Sequence, residues 1–386
     1  MGGLCKHGKD AKKRLHYIDS SDILYEMRFA KRLLERFRDL SRIQKAKILF
    51  PVGIVIIVTV VLLIVLRDDG AVVIVCDEAG TEGLVFVRRY QIYEVEREEE
   101  EYYEEVLIIF YEVVGFRGSS RALVIPARHN GYPVLRIGNR AFEDNRLTSV
   151  TIANSVTHIG DLAFAGNQLT GISIPGSVMS IGRSAFERNL LASAYLPNSI
   201  VSIGNLAFAN NRLTSIHVPN NVTYIGPSVF TANRLSALTI PDSVTHIGYR
   251  AFMGNRLTSV TIPNSVTHIG HRAFEDNLLI GVIIPNSVMF IGQSAFERNQ
   301  LSSVIIGNGV ISIGDRAFAR NQLINLTIPG NVTAIGRWAF AWNQTLETIR
   351  IPFINRTTAD RAWRVGWRSD VDHAVVIINN AGVPVD

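Results

Sequence analysis

The sequence predicts a strand-dominated α/β repeat solenoid of ten 22-residue units, preceded by a single transmembrane helix. Three observations predict it. An Ile-Gly pair recurs every 22 residues from Ile137-Gly138 to Ile335-Gly336. A phenylalanine column, Phe142 to Phe340, and an asparagine column, Asn145 to Asn343, keep the same step without a gap. Between Lys47 and Arg67, 19 residues run without a charge. A fixed period of this size marks stacked repeats, in which no unit can enclose its own apolar face and neighbours enclose it together.

Leu257–Asn277, "LTSVTIPNSVTHIGHRAFEDN", assigns a job to each column. Val260 and Ile262 alternate with polar residues, the period of a strand with one buried face. Pro263 donates no ladder hydrogen bond, so the chain bends there. Val266 and Ile269 point a second, shorter extended segment inward. Gly270 suits a turn that a Cβ would obstruct, and Ala273-Phe274 is expected in a short helical turn on the opposite side. Burying each Phe ring contributes roughly 1.5–3 kcal/mol. An Asn amide both donates and accepts, so stacked copies can satisfy buried backbone groups ahead of each strand. Ten copies of these residues serve the stack; an active site would not need ten.

The I-P-x-S-V-T-x-I-G-x-x-A-F pattern of these units resembles the BspA-like (Treponema-type) leucine-rich repeat, over about residues 113–352. The resemblance implies a right-handed solenoid with a parallel sheet on its concave side and short helices on its convex side. It also implies adhesion or host-surface binding. The column before the strand, often Cys in that family, is Asn throughout this chain, a substitution the repeat accepts.

Residues 1–47 carry 13 Lys and Arg against 6 acids. Within 22–47, Leu24, Met27, Leu34, Phe37 and Leu40 fall at three- and four-residue steps, a basic amphipathic helix with Ser20 or Ser21 as N-cap. Such a helix can lie on an anionic membrane surface or pair with a second copy as a homodimer; a solvated helix beside the membrane fits equally. Residues 48–66 would span about 28 Å as a helix, close to a bilayer core of about 30 Å. No small-residue cleavage site follows, so the span is expected to remain as an anchor. The basic excess before it places the N-terminus in the cytoplasm and the rest, cell-surface or periplasmic, outside.

Residues 67–105 hold 13 acids against 4 Arg, with eight Glu between Glu94 and Glu105. Runs this dense read as solvated spacers. The strand-like runs Gly83–Arg88 and Val106–Val114 flank it and can pair to cover the open end of the solenoid, making 67–120 a membrane-proximal segment and cap. The solenoid proper is assigned to 121–352. After Pro352 the register stops; Thr357–Arg368 reads as a helix and Ala374–Ile378 as a strand, so 353–386 is read as a C-terminal cap.

Two cysteines, Cys5 and Cys76, exclude a disulfide framework and any multi-cysteine metal site. No catalytic or phosphate-binding motif is present; the chain reads as a non-enzyme with no cofactor, no metal and no nucleic-acid partner. His158, His246 and His268 share a column, which copying of "SVTHIG" explains better than metal binding.

The concave positions lie between the two inward strand residues of each unit. Most are small or hydroxylated, and Tyr195, His217, Ile283, Ile305 and Arg350 break that monotony as candidate ligand contacts. Arg212, Arg234 and Arg256, each just after the column Asn, form a basic edge stripe. The expected function is a membrane-anchored, extracytoplasmic module binding a protein or surface polymer. The alternative is an envelope sensor or assembly factor that couples the repeats to a cytoplasmic partner or dimer.

Overall fold

The computed structural model describes residues 82–97, 102–352, 363, 376–379, 381, 382 and 384. The chain divides into two units, Met1–Val73 and Ile74–Asp386, and all that follows concerns the second. The basic tail, the amphipathic helix and the apolar run 48–66 lie outside the described residues, as does the expected helix Thr357–Arg368 apart from Trp363. Among the described residues no helix is long and apolar enough to cross a membrane.

The described residues of Ile74–Asp386 form a β-solenoid of about eleven turns. Each coil adds a parallel strand to two ladders, and partners sit one repeat apart. The V-x-I ladder comes in short pieces, such as Gly281–Ile284 with Ser303–Ile306 and Ser215–His217 with Ala237–Thr239. The second ladder is longer: Tyr224–Ile225, His246–Ile247, His268–Ile269, Phe290–Ile291, Ser312–Ile313 and Ala334–Ile335 form one six-stranded sheet. Between the strands the expected columns fill the core. Val266, Ile269, Ala273, Phe274 and Leu279 are buried, as are their equivalents in the other coils. Val260–Ile262 is an exception to the strand prediction. Ile262 is buried and Val260 packs against the core, but the backbone joins neither neighbouring strand, so the V-x-I ladder is interrupted there.

The ten phenylalanines form one continuous stack from Phe142 to Phe340, with ring centroids 5.1–5.9 Å apart and interplanar angles of 4–14°. Beside it runs the asparagine ladder. Asn277 Oδ1 accepts the Leu257 N–H at 3.1 Å, and its Nδ2 donates to the carbonyls of Phe252 and Phe274 at 2.9 and 3.2 Å. Both predicted columns therefore carry the contacts between coils.

The Ala-Phe turns are not helical; among the described residues there is no helix. The reason lies in where the amides point. Leu162, Phe164 and Gly166 donate to Arg183, Ala185 and Glu187 of the next coil, while Ala163 and Ala165 donate within the turn to Gly160 and Leu162. In an α-helix these amides would point along the helix axis, and none would be aimed sideways at the carbonyls of the next coil. Residues in the left-handed region bracket each turn, for example Leu162 (φ 58°) and Gly166 (φ 66°), and hold it open for this third ladder.

The glycine column answers to close approach between coils. A Cβ on Gly270 would lie 2.7 Å from the Ile247 carbonyl oxygen and the Gly248 carbonyl carbon of the preceding coil.

At the N-terminal end, β1 (Leu84–Arg97) pairs antiparallel with β2 (Tyr102–Phe116), and β2 pairs parallel with Tyr132–Ile137. The expected end-covering hairpin is therefore present, with Leu84, Phe86, Phe110 and Val113 buried and Phe116 against Phe142. It is longer than expected and runs into both ends of the acidic stretch, of which residues 98–101 lie outside the described residues. Glu94 and Glu96 lie on β1, and Glu104 and Glu105 on β2. The register, with Glu94 opposite Glu105, is imposed by the apolar pairs nearer the root, such as Phe86 opposite Val113.

At the other end, Val376–Ile378 forms the strand expected within Ala374–Ile378. It pairs in register with Thr348–Arg350, so the V-x-I ladder gains a further rung after the 22-residue period has stopped. Trp363 is buried, and its Nε1 donates to the Val332 carbonyl at 2.9 Å.

Candidate ligand-binding surface

Alternation sets which side chains a solenoid can offer: the residue between two inward ones must point out. Tyr195, His217, Ile283 and Ile305 are all exposed, Tyr195 by 65%, Ile283 by 63% and Ile305 by 61%. Ile283 and Ile305 are directly paired across one parallel rung. Tyr195 and His217 stand on successive coils but belong to different sheet segments. Arg350 is different. It is half-buried, and its Nη1 donates to the Asn379 carbonyl at 3.3 Å, which ties the guanidinium to the residue after the strand Val376–Ile378.

Two further exposed apolar residues precede V-x-I strands and were not singled out by alternation. Ile280, 56% exposed, and Ile324, also exposed, occupy a column that holds Thr148, Thr170, Thr214 and Thr258 in other coils. Departure from a hydroxylated column was the available signal. A shallow cleft of about 930 Å³ lies beside the Ile283–Ile305 pair where the V-x-I ladder is interrupted, lined by Asp242, Thr261, Asn264, Ile283, Asn286 and Ile305. It is apolar along the two isoleucines and rimmed by the side-chain amides of Asn264 and Asn286.

The second ladder presents another surface. Tyr224, His246, His268 and Phe290 stand on four successive rungs, with His246 and His268 stacked at 4.5 Å and His268 and Phe290 at 5.0 Å. Thr267 Oγ1 donates to the Thr245 carbonyl at 3.1 Å and lies 2.8 Å from His268 Nδ1. With the hydroxyl proton committed, the hydroxyl oxygen accepts from Nδ1–H, so the neutral ring keeps Nε2 as an acceptor. Burial, reinforced by the neighbouring His246, holds the His268 pKa below its ordinary value. His158 is lowered too, by burial and then by Arg136. Among the described residues no group of three or more His, Cys, Asp or Glu is arranged to hold a metal ion.

Arg212, Arg234 and Arg256 are exposed on successive coils, as the spacing predicts. The arginines that do find acids lie in other columns: Arg272 with Glu275 at 3.6 Å, Arg298 with Asp276 at 3.7 Å and Arg320 with Glu297 at 3.6 Å. Glu275 is buried, and burial pushes its carboxyl pKa up. Arg272 opposes that shift, while Glu297 and Asp276 reinforce it.

Three solved structures show the kind of protein this chain is similar to. One is a leucine-rich cell surface protein from Faecalibacterium prausnitzii, with 23% identity, 80% of this chain and 95% of that chain covered, and a TM-score of 0.43. The pneumococcal vaccine antigen PcpA shares 18% identity over 73% of this chain and 82% of its own, with a TM-score of 0.46. A leucine-rich repeat protein from Bacteroides ovatus shares 21% over 75% and 98%, with a TM-score of 0.39. No curated protein matches. The family model for the BspA type leucine rich repeat region (6 copies) matches residues 135–257 and 245–363, more than half of the chain and all ten phenylalanine-bearing coils. The chain belongs to the BspA-type leucine-rich repeat family.

Proposed function

We propose that this chain is a membrane-anchored module that binds a protein through the exposed V-x-I face of its repeats, outside the cytoplasm. The observation that carries the reading is the pairing of Ile283 with Ile305, both more exposed than buried, beside the cleft at the ladder break. Water-exposed isoleucines on a backbone fixed by two ladders cost little to order on binding. They can act as anchors at the centre of a desolvated contact. The apolar run 48–66 and the basic residues before it support the anchor and its orientation. No step in the reading calls for bond-breaking chemistry, and family membership suggests binding or adhesion.

The test is protease shaving of intact cells carrying the full chain, read with antibodies to residues 1–40 and to the repeats. Loss of the repeats with the tail protected supports external display; loss of the tail alone overturns the orientation. In the same cells, I283D/I305D should lower adherence to neighbouring or host cells at least tenfold with insertion unchanged. Unaltered adherence would move the binding face elsewhere. L34D/F37D should leave adherence intact; if instead it abolishes function without affecting insertion, the sensor reading replaces this one.

A further inference from the structure

Residues 188–274 contain six arginines and a single acid, Asp242, within a chain that elsewhere interleaves both signs. Asp242 follows the V-x-I strand Ala237–Thr239, whereas Arg234 precedes it. Three of the six arginines fall in one column. The backbone amides of Arg212, Arg234 and Arg256 donate to Leu191, Leu213 and Leu235 of the preceding coils at 3.0, 3.0 and 2.9 Å. Their Cα atoms therefore advance one rung at a time, about 4.8 Å. The column is bounded by Leu190 on one side and Leu278 on the other.

Among the described residues none of the three side chains makes an ion pair or hydrogen bond, and all three residues are exposed. The columns on their outer side read Asn210, Ala232 and Gly254 on the same coils, and the next residue of that column, Asp276, pairs with Arg298 at 3.7 Å. On the inner side the exposed hydroxyl residues Thr214, Ser236 and Thr258 follow the same three coils. Three exposed permanent charges a rung apart repel one another, weakly in water and salt, and a bound polyanion would offset that repulsion. Guanidinium groups bind sulfate and carboxylate oxygens through paired N–H donors. The hydroxyls beside them suit sugar hydroxyls. No aromatic residue stands in the arginine column or the hydroxyl column to stack a nucleobase.

We propose that the Arg212–Arg234–Arg256 column, with Thr214, Ser236 and Thr258 beside it, is a binding site for a linear anionic polysaccharide lying along the solenoid axis. This site shares no residue with the Ile283–Ile305 pair, although its hydroxyl column leads on to Ile280, whose amide donates to the Thr258 carbonyl at 3.2 Å.

The experiment uses the full chain in detergent and dextran sulfate as the probe, with binding measured at two salt concentrations. R212S/R234S/R256S should weaken binding at least tenfold and flatten its salt dependence. R212K/R234K/R256K, which keeps the charge but not the paired donors, should fall between the two. Because the basic residues 1–47 are untouched in these variants, unchanged binding by the serine variant would assign the probe to the tail and overturn the proposal. A second variant guards against a folding artefact. Adding Q300R/Q322R/Q344R to R212Q/R234Q/R256Q rebuilds the charged stripe on later coils, where Ser302 alone keeps the hydroxyl column, and should restore part of the binding. Failure to restore it while the thermal transition matches wild type would overturn the proposal, as would tighter binding of polyuridylic acid than of dextran sulfate. I283D/I305D should bind dextran sulfate as wild type does, so failure of the protein-binding reading and of this one are told apart.

Discussion

Asn277 Nδ2 donates to the Phe252 carbonyl one coil back at 2.9 Å, and the same amide also reaches Phe274 of its own coil. Its Oδ1 closes the set on Leu257 N–H. One buried side chain thus satisfies two carbonyls and one amide that solvent does not reach. N277A should destabilise the chain by about 2–4 kcal/mol, since each orphaned buried group costs roughly 1–3 kcal/mol. Denaturant titration measures it. A loss under 1 kcal/mol would mean that water replaces the amide.

The stacked rings are the second support. F252A removes a ring packed between Phe230 and Phe274 and should cost about 3–5 kcal/mol. F252L should cost less than half as much. Equal losses would show that stacking geometry, rather than filled volume, dominates.

Two glycines should respond oppositely to alanine. G270A drives a Cβ against the Ile247 and Gly248 backbone and should destabilise by about 1–3 kcal/mol. At Gly176 an added Cβ meets nothing within 4 Å, and G176A should be neutral or stabilise by about 0.4–1 kcal/mol. Equal melting temperatures for the two variants would refute close approach as the reason for the glycine column.

Glu275 should make stability depend on acidity in an unusual sense. Its folded pKa is raised by burial, so its contribution is fully present below the ordinary carboxylate range and is lost as pH rises through the folded value. E275Q should therefore raise the denaturation midpoint at pH 7 and leave it unchanged at pH 4. A lower midpoint at pH 7 would mean that the contact with Arg272 outweighs burial.

His268 has the opposite sign. Its lowered pKa gives a contribution present above its ordinary value of 6.5 that is lost as pH falls below it. H268F should reduce the loss of stability between pH 7 and pH 5, measured by thermal melts across that range. A steeper loss in the variant would refute the assignment.

Sequence by itself determined the coil. A column such as Phe142–Phe340 or Asn145–Asn343 repeats because each copy touches the copies before and after it, so a fixed spacing reports tertiary contacts directly. The hairpin runs at the N-terminus and the strand within Ala374–Ile378 were legible for a related reason, since apolar strands must cover the ends of a stack. Tertiary structure alone decided what the period does not encode. The Ala-Phe turns are not helices, because their amides bond the next coil instead of their own carbonyls. Pairing near the hairpin root carries β1 and β2 into the glutamates. Arg350 is held by Asn379 from beyond the last period. Contacts that recur are written once per repeat; those that occur once need the fold to bring their partners together.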